Sequence, residues 1–347
     1  MKITILGAGA IGGVLGACLT RGGCDVELID IDENHIAALK KRGMTIITPD
    51  GKWSVPVHAY TVHEYLEHPH SSLECVLLSV KTQYTTDALK PFLPLLGPDS
   101  FVVSVQNGLS EYEIADLIGK ERTVGSFVNI FSDYIDPGVI NYGGKGALVI
   151  GEIDGSITPR LHTLEKELKG LDRLEISDNI FGFLWGKLGY ATILTATALT
   201  NETMADIFAN HKYRTMLMNL ASEILEVATK EGISLPIFDD WNPSDAYPRE
   251  HRNLEQMNKQ LDIHVKRLRT YTKVHSGIWR DIAIRHRRSE MHEQLQLPIQ
   301  IGSKYGLSLP LTCMVLDMLT EIECGTRNFS LDNLDLLLEQ NNIIYGN

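Results

Sequence analysis

Short apolar runs alternate with amphipathic stretches through the first half of the chain. KITILG, DVELID, CVLLSV (Cys75 to Val80) and FVVSVQNG (Phe101 to Gly108) are β-branched and nearly continuously apolar, the pattern of parallel strands covered on both faces. Helical periodicity separates most of them, as over Glu33 to Arg42. TIITPDGKWSVPV, from Thr45, holds Asp50-Gly51 between two alternating runs, which predicts an inserted hairpin decorating the edge or rim of the sheet. TVGSFVNI and GVINYGGKGALVIGEIDG predict late strands, the second segment being a pair folded back through the glycines at 143, 144 and 146. From Ile180 onward the period is helical. The pattern therefore predicts an α/β protein: an N-terminal Rossmann domain with a mostly parallel sheet over 1–178, then an all-α domain over 179–347.

Within the second half, TKEGISLP (Thr229 to Pro236) echoes SKYGLSLP (Ser303 to Pro310). Glycine stands where a helix ends in a left-handed residue, and proline follows to start the next element. Phe238 to Arg269 is polar and predicts an extra loop and an exposed helix. Phe181 to Leu199 is nearly long and apolar enough to cross a bilayer. Lys187 argues otherwise, because a central lysine costs roughly 2.5–3.5 kcal/mol on insertion scales. A buried helix carrying one charge is expected instead.

A length of 347 residues suits two domains. The formal charge of −12 disfavours nucleic acid or an anionic membrane as partner, although Arg285-His286-Arg287-Arg288 is a local exception. Five scattered cysteines without CxxC or CxxH spacing fit free thiols in the cytoplasm, with neither disulfide nor metal expected. No basic segment precedes the N-terminal apolar run, so export is not expected.

The candidate chemistry begins at Gly7-Ala8-Gly9-Ala10-Ile11-Gly12, between a strand and a helix. Gly7 allows a sharp turn, Gly9 lets the backbone approach a pyrophosphate, and Gly12 lets the helix pack closely on the sheet. Asp30 closes the next strand, where a carboxylate accepts hydrogen bonds from a ribose and repels the extra phosphate of NADP. NAD is thus the expected cofactor, with NADP as the alternative. Lys81 and Asn107 follow strand ends, where α/β proteins bind ligands. Lys81 suits a ribose or a substrate anion, or is a solvated loop lysine; Asn107 suits a carboxamide or carboxylate, or is a plain turn. Lys187, if partly desolvated, is an effective proton donor near neutral pH; otherwise its head reaches water. His275 to Ile282, continued by Arg285 to Glu290, is charged yet helical in phase. Ser276 and Glu290 are candidates for holding a substrate there, against a solvated charged face as the alternative. His286 and His292 are expected at the surface.

These residues together resemble the ketopantoate reductase family of 2-dehydropantoate 2-reductases and related 2-keto acid reductases. The marks are GAGAIG, Lys81, Gln106-Asn107-Gly108, Pro137-Gly138 leading into GGKGALVIGE, WGKL with Lys187, and Ser276 to Glu290. The resemblance runs almost end to end and implies a 6-phosphogluconate dehydrogenase-like helical second domain, a substrate lying between the domains, and a homodimer. It also implies Lys187 as general acid, Glu290 and Ser276 as substrate ligands, and Asn107 near nicotinamide and substrate. Two positions depart from it. Where ketopantoate-reducing members carry asparagines four and eight residues after the lysine, this chain has Ala191 and Thr195, and Asp30 stands where NADP-dependent members have a basic or neutral residue. Both departures suggest an NAD-linked D-2-hydroxyacid dehydrogenase acting on a branched or aromatic 2-keto acid. Other readings are an opine or polyol-phosphate dehydrogenase, or a non-catalytic NAD-sensing protein.

Overall fold

The computed structural model describes residues 1–69, 72–143, 146–168, 174–271 and 273–346. The chain forms two compact units, Met1–Phe181 and Gly182–Asn347. In the first unit the strands are β1 Lys2–Leu6, β2 Asp25–Asp30, β3 Met44–Thr48, β4 Gly51–Val55, β5 His58–Thr61, β6 Leu73–Leu78, β7 Leu96–Ser104, β8 Thr123–Val128, β9 Ser132–Asp136, β10 Val139–Tyr142, β11 Leu148–Glu152 and β12 Leu174–Ile176. Its helices are α1 Ala10–Arg21, α2 Glu33–Arg42, α3 Val62–Glu67, α4 Thr85–Leu89, α5 Ser110–Ile118 and α6 Pro159–Glu167.

Eight strands form one sheet in the order β12-β11-β8-β7-β6-β1-β2-β5, parallel throughout except where β11 runs against β8. Successive residues alternate between two cores: Ile3, Ile5, Cys75, Leu77, Phe101 and Val103 pack on one face, and Leu6, Val76, Leu78 and Val102 on the other. That burial on both sides is why these strands read as unbroken apolar runs. The order reverses at β1, where ligands of such sheets bind, and the glycine loop lies at its carboxyl end.

Two expectations need correction. The Asp50-Gly51 hairpin does not decorate the main sheet: β3 and β4 join β9 and β10 in a separate four-stranded sheet, β4-β3-β10-β9. Nor do the strands on either side of the glycines at 143 and 146 pair with each other. β10 pairs with β9 across Pro137-Gly138, whereas β11 enters the main sheet beside β8; Gly144 lies outside the described residues. The reason is α1. A Cβ at Gly13 would sit 2.2 Å from Ile140 and 2.9 Å from Met44, while one at Gly16 would sit 2.5 Å from Leu28. A helix this thin is covered by the main sheet on one side and by the small sheet on the other, and periodicity carries no record of that tertiary choice.

The second unit holds α7 Ile180–Thr197 from Gly182 onward, α8 Met204–Ala209, α9 His211–Lys230, α10 Leu254–Leu268, α11 Gly277–Ala283, α12 Met291–Lys304, α13 Pro310–Glu323 and α14 Asp332–Tyr345. No helix among the described residues is long and apolar enough to cross a membrane. Buried α9 organises the unit: its Glu223 accepts hydrogen bonds from the N–H groups of Leu311 and Thr312 at the start of α13 and from the Tyr345 hydroxyl of α14, at 2.8–2.9 Å. Gly232 and Gly306 are left-handed, at φ 75° and 72°. Pro310 starts α13, but Pro236 starts no helix and leads into a loop. The polar stretch is less exposed than expected. α10 is amphipathic, burying Met257, Leu261, Val265 and Leu268, and buried Arg214 reaches it through Asn258 and Asp262.

Candidate functional site

In the first unit the candidate residues gather at the carboxyl ends of β1, β2, β6 and β7. Gly7 has φ 97°, and a Cβ at Gly12 would meet Gly7 O at 2.0 Å and Ser79 Oγ at 2.2 Å, so both glycines answer to the protein itself. Ser79 Oγ closes the turn by donating to Gly7 O at 2.7 Å. Gly9 is different. Its φ of −69° suits any residue, and a Cβ there would meet nothing within 4 Å. Gly9 also stands at the N-terminus of α1 with no side chain capping the first turn. Free space above uncapped helix N–H donors is the arrangement a pyrophosphate requires, so these residues fit a dinucleotide.

Asp30, half-buried at the end of β2, accepts the Ala8 N–H at 2.7 Å and the Asp32 N–H at 3.0 Å. It braces the loop through both carboxylate oxygens. Tyr134 of β9 lies beside these carboxylates: burial, then Asp32, Asp30 and Asp136, push its hydroxyl up to about 12. The loops carrying Lys81 and Asn107 are knitted together, Thr82 Oγ1 donating to Asn107 O at 2.9 Å and Gln106 Nε2 to Val80 O at 2.9 Å. Lys81 is half-buried and Asn107 exposed. Sequence reasoning assigned no role to Ser79 or His35, nor to Gln106 beyond its place in the Gln106-Asn107-Gly108 mark.

In the second unit Lys187 is half-buried on α7, between buried Gly186 and Leu188. Thr195 is fully buried and gives its hydroxyl hydrogen to Ala191 O at 2.8 Å. The polar stretch is anchored on the same helix: the Trp241 indole N–H donates to Gly186 O at 3.0 Å, and the Tyr190 hydroxyl pairs with His264 Nε2 at 2.7 Å. Burial pushes His264 down to about 4, with Arg267 acting the same way against Asp240. Ser276, 2% exposed, caps α11 by accepting the Trp279 N–H at 3.3 Å. The helical phase expected to run on to Glu290 breaks at Ala283. Arg285 and Arg287 turn back onto Asp281, and His286 is left-handed at φ 50°. Glu290 instead stands half-buried at the start of α12 and accepts Gln294 Nε2 at 3.0 Å. His286 is exposed, but His292 is half-buried against Thr320. A cavity of about 840 Å³ in this unit is lined by Asn201, Ile282, Arg287, Glu323 and Phe329, among others, and by none of the expected site residues. Among the described residues no His, Cys, Asp and Glu side chains cluster as a metal site.

A glycine loop at the switch point of a parallel sheet, followed by a helical unit, defines a class of dinucleotide-dependent proteins. Residues 3–155 match the family described as Ketopantoate reductase PanE/ApbA, and residues 179–323 match its C-terminal domain. The chain belongs to this family of oxidoreductases, whose members use NAD(P)H. A 2-dehydropantoate 2-reductase of Mesorhizobium japonicum is 30% identical over 263 residues, 68% of this chain and 78% of that one. Among solved structures, a PanE/ApbA family ketopantoate reductase from Ralstonia eutropha superposes with a TM-score of 0.76 at 25% identity, covering 94% of this chain and 99% of that one. D-mandelate dehydrogenase with NADH and anilino(oxo)acetate superposes at 0.78 and 19% identity, with 94% and 99% covered, a likeness of fold.

Proposed function

We propose that this protein catalyses NADH-dependent reduction of a 2-keto acid to its 2-hydroxy acid, with a branched or aromatic side chain preferred over the hydroxylated chain of ketopantoate. A nicotinamide cofactor held at the Gly7 to Gly12 loop would supply the hydride for this reduction. The oxygen left negative takes a proton from Lys187, while Ser276 and Glu290 hold the substrate and Asn107 orients its carboxyl group or the carboxamide. Lys187 carries the proposal: it is the charged group on an otherwise largely buried apolar helix, and a desolvated ammonium answers a developing alkoxide better than a hydrated one.

The substrate preference is supported by Ala191 and Thr195. The alanine side chain offers no hydrogen bond, and the Thr195 hydroxyl, its hydrogen already given to the backbone, can only accept, so a polar tail would find fewer partners than two asparagines supply. Preference for NADH is supported by the cluster of Asp30, Asp32 and Asp136 around Tyr134, which opposes a 2′-phosphate. The test is NADH consumption with ketopantoate, 2-ketoisovalerate and phenylglyoxylate. The expected result is turnover of the last two ahead of ketopantoate, and faster with NADH than with NADPH. Ketopantoate as the best substrate would reject the specificity, and no oxidation with any keto acid would reject the reaction.

A further inference from the structure

His35 is buried, 1% exposed, in the first turn of α2, and both ring nitrogens are engaged. The Gly138 N–H donates to Nδ1 at 3.0 Å. Nδ1 therefore bears no hydrogen, the ring's proton is on Nε2, and Nε2 donates to Ala8 O at 2.9 Å. The other end of the Ala8 residue is held as well, its N–H by Asp30 Oδ2. The circuit closes locally: Asp32 N–H donates to Asp30 Oδ1 and His35 N–H to Asp32 Oδ1, each at 3.0 Å. Tyr134 of β9 packs against the imidazole, with ring centroids 5.1 Å apart.

We propose that His35 is a positioning residue for the dinucleotide. It fixes the Ala8 carbonyl, and so the aim of Gly9 and the first N–H groups of α1, and it ties that loop to the β9–β10 turn at Gly138. The small sheet is on this account part of the cofactor site, although none of its strands belongs to the Rossmann sheet. A carbonyl that is free to rotate would turn the loop's donors off the pyrophosphate, because preorganised donors bind only where they already point. The inference rests on the dinucleotide reading of the loop and not on Lys187 or the substrate.

NADH binding to the full-length protein, measured by equilibrium fluorescence titration, tests it. His35→Phe, which keeps the ring volume and removes both hydrogen bonds, is expected to raise the Kd about tenfold or more, with kcat at saturating NADH changed less than about twofold. His35→Gln, whose amide can donate to Ala8 and accept from Gly138, is expected to return the Kd to within about threefold. Wild-type affinity in His35→Phe would overturn the inference, as would a His35→Gln protein of normal stability that binds as weakly as His35→Phe. If His35→Phe does not fold, amide exchange in the unaltered protein decides: NADH is expected to slow Ala8 and Gly138 together, and exchange at Gly138 indifferent to NADH would overturn the link. Absence of NADH binding by the unaltered protein overturns the dinucleotide reading itself, and the inference with it.

Discussion

The candidate site of the first unit is built chiefly from backbone, that of the second from side chains, Lys187 foremost among them. Around Gly7 to Gly12, the groups available to a dinucleotide are peptide N–H groups at the start of α1, and the side chains of Asp30, His35 and Ser79 hold neighbouring peptides in place. On α7 the backbone is consumed by the helix, and Lys187 stands out against apolar neighbours. The difference teaches where substitution is tolerated. A backbone site fails when a bracing residue or a missing Cβ changes, even one far from the ligand; a side-chain site fails when a functional group itself goes.

The largest expected effect is on the side-chain site. Lys187→Ala is expected to lower kcat about 10²–10⁴-fold with NADH affinity nearly unchanged, the loss of a positioned general acid; steady-state kinetics beside a binding titration checks both halves. The backbone site is probed by a pair. Gly12→Ala forces a methyl group onto Gly7 O and Ser79 Oγ and is expected to destabilise the first unit by about 1–3 kcal/mol, the range for overpacking. Gly9→Ala meets no protein atom, so thermal unfolding is expected to stay put while NADH binding weakens at least about tenfold. Equal damage to folding from both would mean that Gly9, like Gly12, answers to the protein's own packing.

A third prediction concerns the support of α7. His264 is held at about 4 by burial, below its unfolded value of about 6.5. The unfolded chain therefore binds the extra proton first as pH falls, and stability drops between about pH 6.5 and 4 by up to about 3 kcal/mol. Denaturant unfolding across that interval should show the slope, flattened in His264→Gln. The smallest effect is at Asp30. Asp30→Ala is expected to raise the KM for NADH about tenfold while changing that for NADPH little, because it removes both the brace on Ala8 and the charge opposing a 2′-phosphate. Paired kinetics with the two cofactors reads the ratio.

Legibility in the sequence followed how local each cause was. The strands of the main sheet could be read because burial on both faces writes itself into consecutive residues, and the glycine loop because its spacing is complete within six residues between a strand and a helix, although the atoms that a Cβ at Gly7 or Gly12 would strike include distant Ser79. Asp30 could be read as a candidate for ribose binding but not as a brace, since its partner at Ala8 depends on how β2 sits beside β1. His35 lay on the buried face of α2 with Ile36 and Leu39, a signal that marks core without revealing Gly138, a residue far along the chain. The polar stretch after Phe238 looked idle because its anchors, Trp241 and His264, reach α7 across sequence separations of 55 and 74 residues.

From the sequence alone came the two-part architecture, the glycine loop with its acid, and the single lysine within an apolar helix, each written in residues close to one another along the chain. Tertiary structure decided that α1 is covered by two sheets, that the hairpins at 44–55 and 132–142 unite, that the helical phase breaks after Ala283, and that an imidazole clamps the loop. Each of those depends on which distant segments meet. Many pairings satisfy the same local pattern of apolar and polar residues, and only close packing of the whole, down to a methyl group that has no room at Gly13, selects among them.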